Sequence, residues 1–206
     1  MTDAIARTAR DELGFERLRP GQHEAVAAIL DGRDVLAIMP TGSGKSAVYQ
    51  IAALLIDGPT VVVSPLIALQ RDQVLSIEEQ GAAEAAALNS TLSESAREET
   101  LERVAADELE FLFLAPEQLA NEETLARLAE AKPSLVVVDE AHCVSEWGHD
   151  FRPDYLLLGD AIEALGRPRV LALTATAPLR TRGLAVAVSA SIVGPPSFSI
   201  TLPSRA

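Results

Sequence analysis

The chain has 206 residues, 48% of them apolar and 23% charged, and carries a formal net charge of −13. That length suits one sizeable domain with a real core, and the composition excludes a disordered or fibrous chain. The acidic balance argues against a general electrostatic grip on nucleic acid, because such binding rests on neutralising phosphates; a local patch or another segment would have to supply the attraction.

No apolar run reaches the roughly 18 residues that suggest a membrane span. The opening MTDAIARTARDELG lacks the apolar core of a signal peptide. Cys143 is the only cysteine, which leaves no internal disulfide and no cysteine-based metal site. These features predict a cytosolic protein. The only lysines are Lys45 and Lys132, against many arginines and alanines, a mix that points to a GC-rich bacterial source.

In chain order, Gly32 and Asp34 form a turn before a strand over 35–39, VLAIM. A glycine-rich turn follows, then a helix over 46–57. Gly58-Pro59 turns the chain into a strand over 60–64, TVVVS, and a helix over 67–80. A weaker strand at 85–89 precedes a helix over 93–106. EFLFLA predicts a strand over 110–115, followed by a helix over 117–131. LVVVD predicts a strand over 135–139 and RVLALT one over 169–174, with helices over 155–165 and 178–187. These strand runs are continuously apolar, as expected for strands buried on both faces of a parallel sheet. The alternation predicts βαβ units with right-handed crossovers, and hence an α/β fold. Residues 189–206, with Pro195, Pro196 and Pro203, read as a linker or tail.

MPTGSGKS, residues 39–46, leaves the first strand and opens a helix. It matches the second half of a P-loop in the required strand–turn–helix context. Gly42 and Gly44 let the backbone curl so that N–H groups face phosphate oxygens. The helix N-terminus adds its positive dipole end. Thr41 and Ser43 complete the loop, Lys45 would reach the β- and γ-phosphates, and Ser46 would ligate Mg²⁺. The strict pattern has Gly where this chain has Met39.

LVVVDEAH sets Asp139 and Glu140 at the C-terminal end of a buried strand, where open α/β sheets bind ligands. Asp139 would hold Mg²⁺, and Glu140 would orient or deprotonate the attacking water. His142 either links this site to a neighbouring element or is a simple hydrogen-bonded histidine. In LTATA, Thr174 and Thr176 are either strand-forming residues or hydroxyls that sense the γ-phosphate. Trp147, Phe151 and Tyr155 follow at spacings of four, which suits one face of a helix. Gly148 and Pro153 interrupt the stretch and favour an irregular loop instead. Rings on such a loop suit base stacking, which contributes about 1–3 kcal/mol per base without sequence preference.

LGFERLRPGQHEAV, GRDVLAIMPTGSGKS, VVVSPLIALQRDQV, LNST, FLFLAPEQL, DEAHCVSEWGHDFRPDY and LALTATA occur in that order. From about residue 10 to about 188 they resemble the first RecA-like domain of RecQ-family DNA helicases of superfamily 2. The Met-Pro-Thr-Gly form of the loop is usual in that family, whereas Leu13, Leu18 and Gln118 depart from its common residues. The resemblance implies a mostly parallel sheet with helices on both faces, spanning 1–188. It implies ATP and Mg²⁺ as cofactors, and DNA repair or recombination as the setting. It implies an adenine-recognition segment in which Phe15 stacks on the base, Gln22 hydrogen-bonds its edge, and Arg19 contributes. It places the strand ending in Thr174 and Thr176 between the phosphate-loop strand and the DEAH strand. It implies that Trp147, His149, Phe151 and Arg152 couple single-stranded DNA to hydrolysis, and that Ser64, Arg71 and Asn89 face the DNA backbone. Ser64 and Asn89 equally suit turn positions.

The same resemblance implies as partners single-stranded DNA, or a duplex with a single-stranded tail, and a second RecA-like domain that this sequence does not contain. No zinc module or winged helix is legible either, so weak hydrolysis and no unwinding are expected of the chain alone. The implied location is the bacterial cytoplasm, on the nucleoid. A non-catalytic ATP-binding or interaction module derived from a helicase is the competing reading. A small-molecule P-loop kinase would need acceptor-binding and lid segments that the sequence lacks.

Overall fold

The computed structural model describes residues 2–144, 157–175 and 199–201. Its centre is a sheet of β1 (Val35–Ile38), β2 (Thr60–Val63), β3 (Ala85–Leu88), β4 (Phe111–Leu114), β5 (Leu135–Val138), β6 (Arg169–Thr174) and β7 (Ser199–Thr201). Their spatial order is β3-β4-β2-β5-β6-β1-β7, and every pairing among the described residues is parallel. The strand carrying Thr174 does lie between the phosphate-loop strand and the DEAH strand. Residues 199–201 fall inside the stretch read as a linker or tail, yet they add a short strand beside β1.

Strand side chains alternate between two apolar clusters, one on each face. One face joins Leu36, Val61, Leu112, Val136 and Val170 to residues of α5 (Glu94–Ala105), α6 (Glu122–Glu130) and α7 (Leu158–Ala164). The other joins Val35, Val62, Phe113, Val137 and Leu171 to residues of α1 (Thr2–Asp11), α2 (Gln22–Leu30) and α3 (Lys45–Ala53), and to Ile77 of α4 (Ile67–Gln80). Both faces of β1, β2, β4 and β5 are therefore buried, which is why their sequences are unbroken apolar runs.

Helix α4 spans the predicted 67–80. The helix expected over 117–131 is instead split. A 3-10 turn over Pro116–Ala120 ends at Asn121, whose side chain accepts from the Thr124 N–H at 2.9 Å and starts α6 afresh. Helices α1 and α2 were not read from the sequence, although Ile5, Ala9 and Leu13 recur every four residues and all are buried. The helix expected over 178–187 lies outside the described residues, as does the start of the one expected over 155–165. Among the described residues, no helix is long and apolar enough to cross a membrane.

Two side chains tie the bottoms of adjacent strands. Asp34 Oδ1 accepts the Val170 N–H at 2.8 Å, and the Ser134 hydroxyl donates to the Gly58 carbonyl at 2.9 Å. At the same end, just before β4, Glu110 is half-buried and its Oε1 has no hydrogen-bond partner. Burial, with the nearby Asp107 and Asp57 carboxylates, pushes its carboxyl up to about 7. The folded state thus holds this proton more tightly than the unfolded chain, so the contribution is full below the unfolded value and is lost as pH rises through about 7. After allowance for solvent screening of a half-exposed carboxyl, Glu110→Gln should gain about 1–2 kcal/mol over the native chain at pH 8 and little at pH 4.5. Thermal melts at the two pH values test this; equal shifts at both would show that the Glu110 charge is not the cause.

Candidate nucleotide site

The phosphate-loop turn leaves β1 after Ile38 and enters α3 at Lys45. Gly42 and Gly44 adopt left-handed backbones, φ 75° and 79°, which only glycine takes without strain. Three successive carbonyls of this turn are held from one side. The Arg19 guanidinium donates to Gly42 O, and Gln22 Nε2 donates to Ser43 O at 3.2 Å and Gly44 O at 2.7 Å. Gln22 Oε1 accepts the Arg19 N–H at 2.7 Å, which orients the amide. In a planar trans peptide the N–H lies opposite its carbonyl. Fixing Ser43 O and Gly44 O therefore turns the Gly44 and Lys45 N–H groups away from Gln22. Beside them the Ser43 hydroxyl is buried with no hydrogen-bond partner, Lys45 and Ser46 are half-buried at the helix start, and Thr41 is exposed. A helix N-terminus with turned-in N–H groups, a lysine and an unsatisfied hydroxyl fits a polyphosphate.

The acidic element arrives two strands away. The Asp139 N–H donates to Val63 O at 2.9 Å, which carries the β5–β2 pairing to the site. Glu140 takes a left-handed backbone, φ 48°, unusual for a residue with a side chain, and its N–H donates to Asp139 Oδ1 at 2.9 Å. Glu140 Oε1 stands 3.9 Å from Lys45 Nζ, and Glu140 Oε2 stands 3.1 Å from His142 Nδ1. His142 Nδ1 is also 3.2 Å from the Thr174 hydroxyl at the end of β6. The result is a continuous chain, Lys45–Glu140–His142–Thr174, across the ends of three strands. Burial pushes the Asp139 carboxyl up. The Glu140 N–H opposes that shift, the Glu140 carboxylate adds to it, and Lys45 and His142 pull it down. A half-buried carboxylate within electrostatic reach of the Lys45 ammonium, with the Ser46 hydroxyl next to that lysine in the chain, offers the oxygen donors that suit Mg²⁺.

The remaining predicted residues separate into groups. Phe15 is half-buried against the α1–α2 face of the core, and Arg19 is exposed. Gln22, expected to read a base edge, is buried and spends both its amide hydrogens on the loop. Ser64 and Asn89 are buried and turned inward. The Ser64 carbonyl accepts from Gln70 Nε2 at 2.8 Å, and Asn89 Nδ2 donates to Gln70 Oε1 at 3.1 Å. Asn89 Oδ1 accepts from the Thr91 N–H and hydroxyl at 3.1 and 2.7 Å. Arg71 is exposed on α4. Trp147, His149, Phe151, Arg152 and Thr176 lie outside the described residues. Sequence reasoning missed the bracing roles of Gln22 and Gln70, since nothing in their spacing distinguishes them from solvent-facing glutamines.

A glycine-rich strand–helix turn facing a carboxylate-tipped strand across one intervening strand of a parallel sheet defines a RecA-like P-loop domain. Within that class, residues 19–183 match the DEAD/DEAH box helicases, and the chain belongs to that family. Among its relatives, the probable ATP-dependent DNA helicase RecS of Bacillus subtilis (strain 168) is 45% identical over 177 residues, covering 86% of this chain and 35% of the relative. The ATP-dependent DNA helicase RecQ of Haemophilus influenzae is 40% identical over 169 residues, 82% of this chain and 27% of the relative. These relatives bear out the resemblance to RecQ proteins, and the chain spans about a third or less of their length. The crystal structure of a hypothetical ATP-dependent RNA helicase from Sulfolobus tokodaii shares the fold, with a TM-score of 0.70 at 22% identity, over 97% of this chain and 56% of that one.

A Cβ on Gly44 would stand 2.7 Å from Gln22 Nε2 and would sit on a left-handed backbone. Gly44→Ala should therefore destabilise the chain by about 2–3 kcal/mol, from backbone strain plus a disturbed hydrogen bond. Combined with Gln22→Ala, the loss should be less than additive, because the clash disappears with the amide. Urea unfolding of the two single variants and the double variant decides it; strict additivity would mean that the two side chains do not meet.

Proposed function

We propose that this chain is the ATP-binding motor domain of a RecQ-like DNA helicase, coupling ATP hydrolysis to movement along single-stranded DNA and to unwinding in repair or recombination. The observation that carries the proposal is the contact chain from Lys45 through Glu140 and His142 to Thr174. It joins a phosphate-binding lysine to a base, and the base to a hydroxyl on the strand between them.

In this reading the Gly44 and Lys45 N–H groups, the α3 dipole and the Lys45 ammonium bind the phosphates. Ser46 and Asp139 hold Mg²⁺, which when bound neutralises charge on the transferred phosphoryl group. Glu140 orients the attacking water and takes its proton. His142 holds Glu140 against Thr174, and the Thr174 and Thr176 hydroxyls sense loss of the γ-phosphate. Gln22 braces the loop, while Phe15 and Arg19 border the base. Trp147, His149, Phe151 and Arg152, a few residues beyond the carboxylates, stack on and grip the single strand, or the tail of a duplex. Arg71, with the backbone at Ser64 and Asn89, borders its phosphates.

A second RecA-like domain completes the nucleotide cleft and supplies an arginine to the transferred phosphate. Such arginines contribute roughly 10³–10⁵ in rate, so the chain alone hydrolyses ATP feebly. The matching location is the bacterial cytoplasm, on the nucleoid.

The test is a fluorescent ATP analogue together with steady-state ATPase assays. Lys45→Ala should abolish analogue binding, whereas Glu140→Gln should retain binding and lose hydrolysis by at least 100-fold. With a second RecA-like domain added in trans, single-stranded DNA should raise the ATPase rate, and Trp147→Ala should remove that rise. Nucleotide binding without any response to DNA in the completed assembly would leave a nucleotide-binding module that is no motor.

A further inference from the structure

Tyr49 sits one turn beyond Lys45 on α3 and is 4% exposed. Its ring meets Phe111 and Phe113 of β4 edge-on, with centroids 6.0 and 6.4 Å away. A phenylalanine would satisfy that packing equally well, so the hydroxyl needs its own explanation. A buried O–H is costly unless it finds a partner. Here the partner is Gln73 Oε1 on α4, at 2.7 Å. Burial and the charge of Asp139 push the phenol above its usual range, so it remains a donor at every physiological pH.

Gln73 lies one turn along α4 from Gln70, which holds the Ser64 carbonyl and the Asn89 amide at the ends of β2 and β3. Arg71 projects from the same helix into solvent. Helix α4 is thus tied at adjacent turns to two different things. Gln70 ties it to the strand ends, and Gln73 ties it to the lysine helix. Apolar packing between helices tolerates small sliding, whereas a short O–H···O bond is directional and weakens steeply when displaced.

We propose that the Tyr49 hydroxyl is a positioning group. It passes nucleotide occupancy of the lysine turn to α4 through Gln73, and so to the single-stranded DNA bordered by Ser64, Arg71 and Asn89. The inference rests on the motor-domain reading above and deepens it: the loop after the DEAH strand is then one of two routes between DNA and nucleotide.

Amide hydrogen exchange of the 206-residue chain, with and without magnesium and a slowly hydrolysed ATP analogue, tests it. In the native chain, nucleotide should slow exchange over 40–47 and, by about fivefold or more, over 67–80. In Tyr49→Phe, 40–47 should remain protected while the nucleotide-dependent slowing over 67–80 is lost. Exchange of 67–80 without nucleotide should quicken modestly, since one tie is lost, and the readout is the ratio of exchange with and without nucleotide, which a merely structural role for the hydroxyl would leave as in the native chain. Gln73→Leu should behave as Tyr49→Phe does, and Gln73→Glu, which keeps an acceptor, should behave as the native chain does. Equal protection of 67–80 in the native chain and Tyr49→Phe overturns the proposal, as does protection confined to 40–47 in the native chain. No protection of 40–47 in the native chain would instead overturn the nucleotide reading, and the coupling with it.

Discussion

The position of β6, wedged in parallel between β1 and β5, is the constraint on which the site depends. Register pairs Ile38 with Thr174 and Val138 with Ala172, so β1 and β6 end together and β5 ends two residues short of them, leaving Asp139 and Glu140 to cover the gap. The Met39 N–H donates to Thr174 O at 2.9 Å, locking the start of the loop to the end of β6. Strands two apart in a sheet lie about 10 Å from each other, which is more than any backbone contact can span. Lysine and glutamate side chains reaching from either side can span it, and Lys45 and Glu140 meet at 3.9 Å. Shifting the register by one residue would turn Thr174 to the opposite face and break the chain through His142.

The site is expensive to maintain locally. Glu140 holds a left-handed backbone, costing on the order of 1–2 kcal/mol, and Asp139 is an acid whose burial opposes its charge. Neither would persist in a loosely held segment. Both follow directly from β5, whose four residues are all buried at the centre of the sheet. The apolar clusters on the two faces thus stabilise strain placed at their edge, where a reacting group needs fixed charges and excluded water.

Glutamine amides recur at the joints of this domain. Gln22 braces the phosphate loop, Gln70 ties β2 to the segment after β3, and Gln73 receives Tyr49. An amide carries both donors and an acceptor without a charge to desolvate, so it can join two buried backbone segments where a carboxylate or ammonium could not. The Asn89 side chain and the Ser64 carbonyl enter the same buried network, which explains why the Asn89 amide turns inward even though it stands at a strand end that borders the proposed DNA path.

Much of the fold was legible because burial on both faces of a parallel sheet imprints itself on consecutive residues. VLAI, TVVV, FLFL and LVVV are all strands, and each lies where its apolar run predicted. Helices α1 and α2 were less legible, since half-apolar helices leave only a spaced pattern, and Asn121 split a predicted helix through a hydrogen bond that spacing does not reveal. The placement of Lys45, Asp139 and Glu140 at the ends of strands could be read because local backbone geometry dictates residue type: glycines where φ is positive, carboxylates at a strand's end. Strand order was different. The family resemblance placed β6 between β1 and β5, but no local pattern does, because β1 pairs with β6 across more than a hundred residues. The sequence by itself therefore determined the strands and the polar residues set at their ends. Only tertiary structure decided that Glu140 reaches Lys45, that His142 meets Thr174, that Gln22 serves the loop, and that Tyr49 touches α4, because side-chain partnership depends on distances that only packing sets.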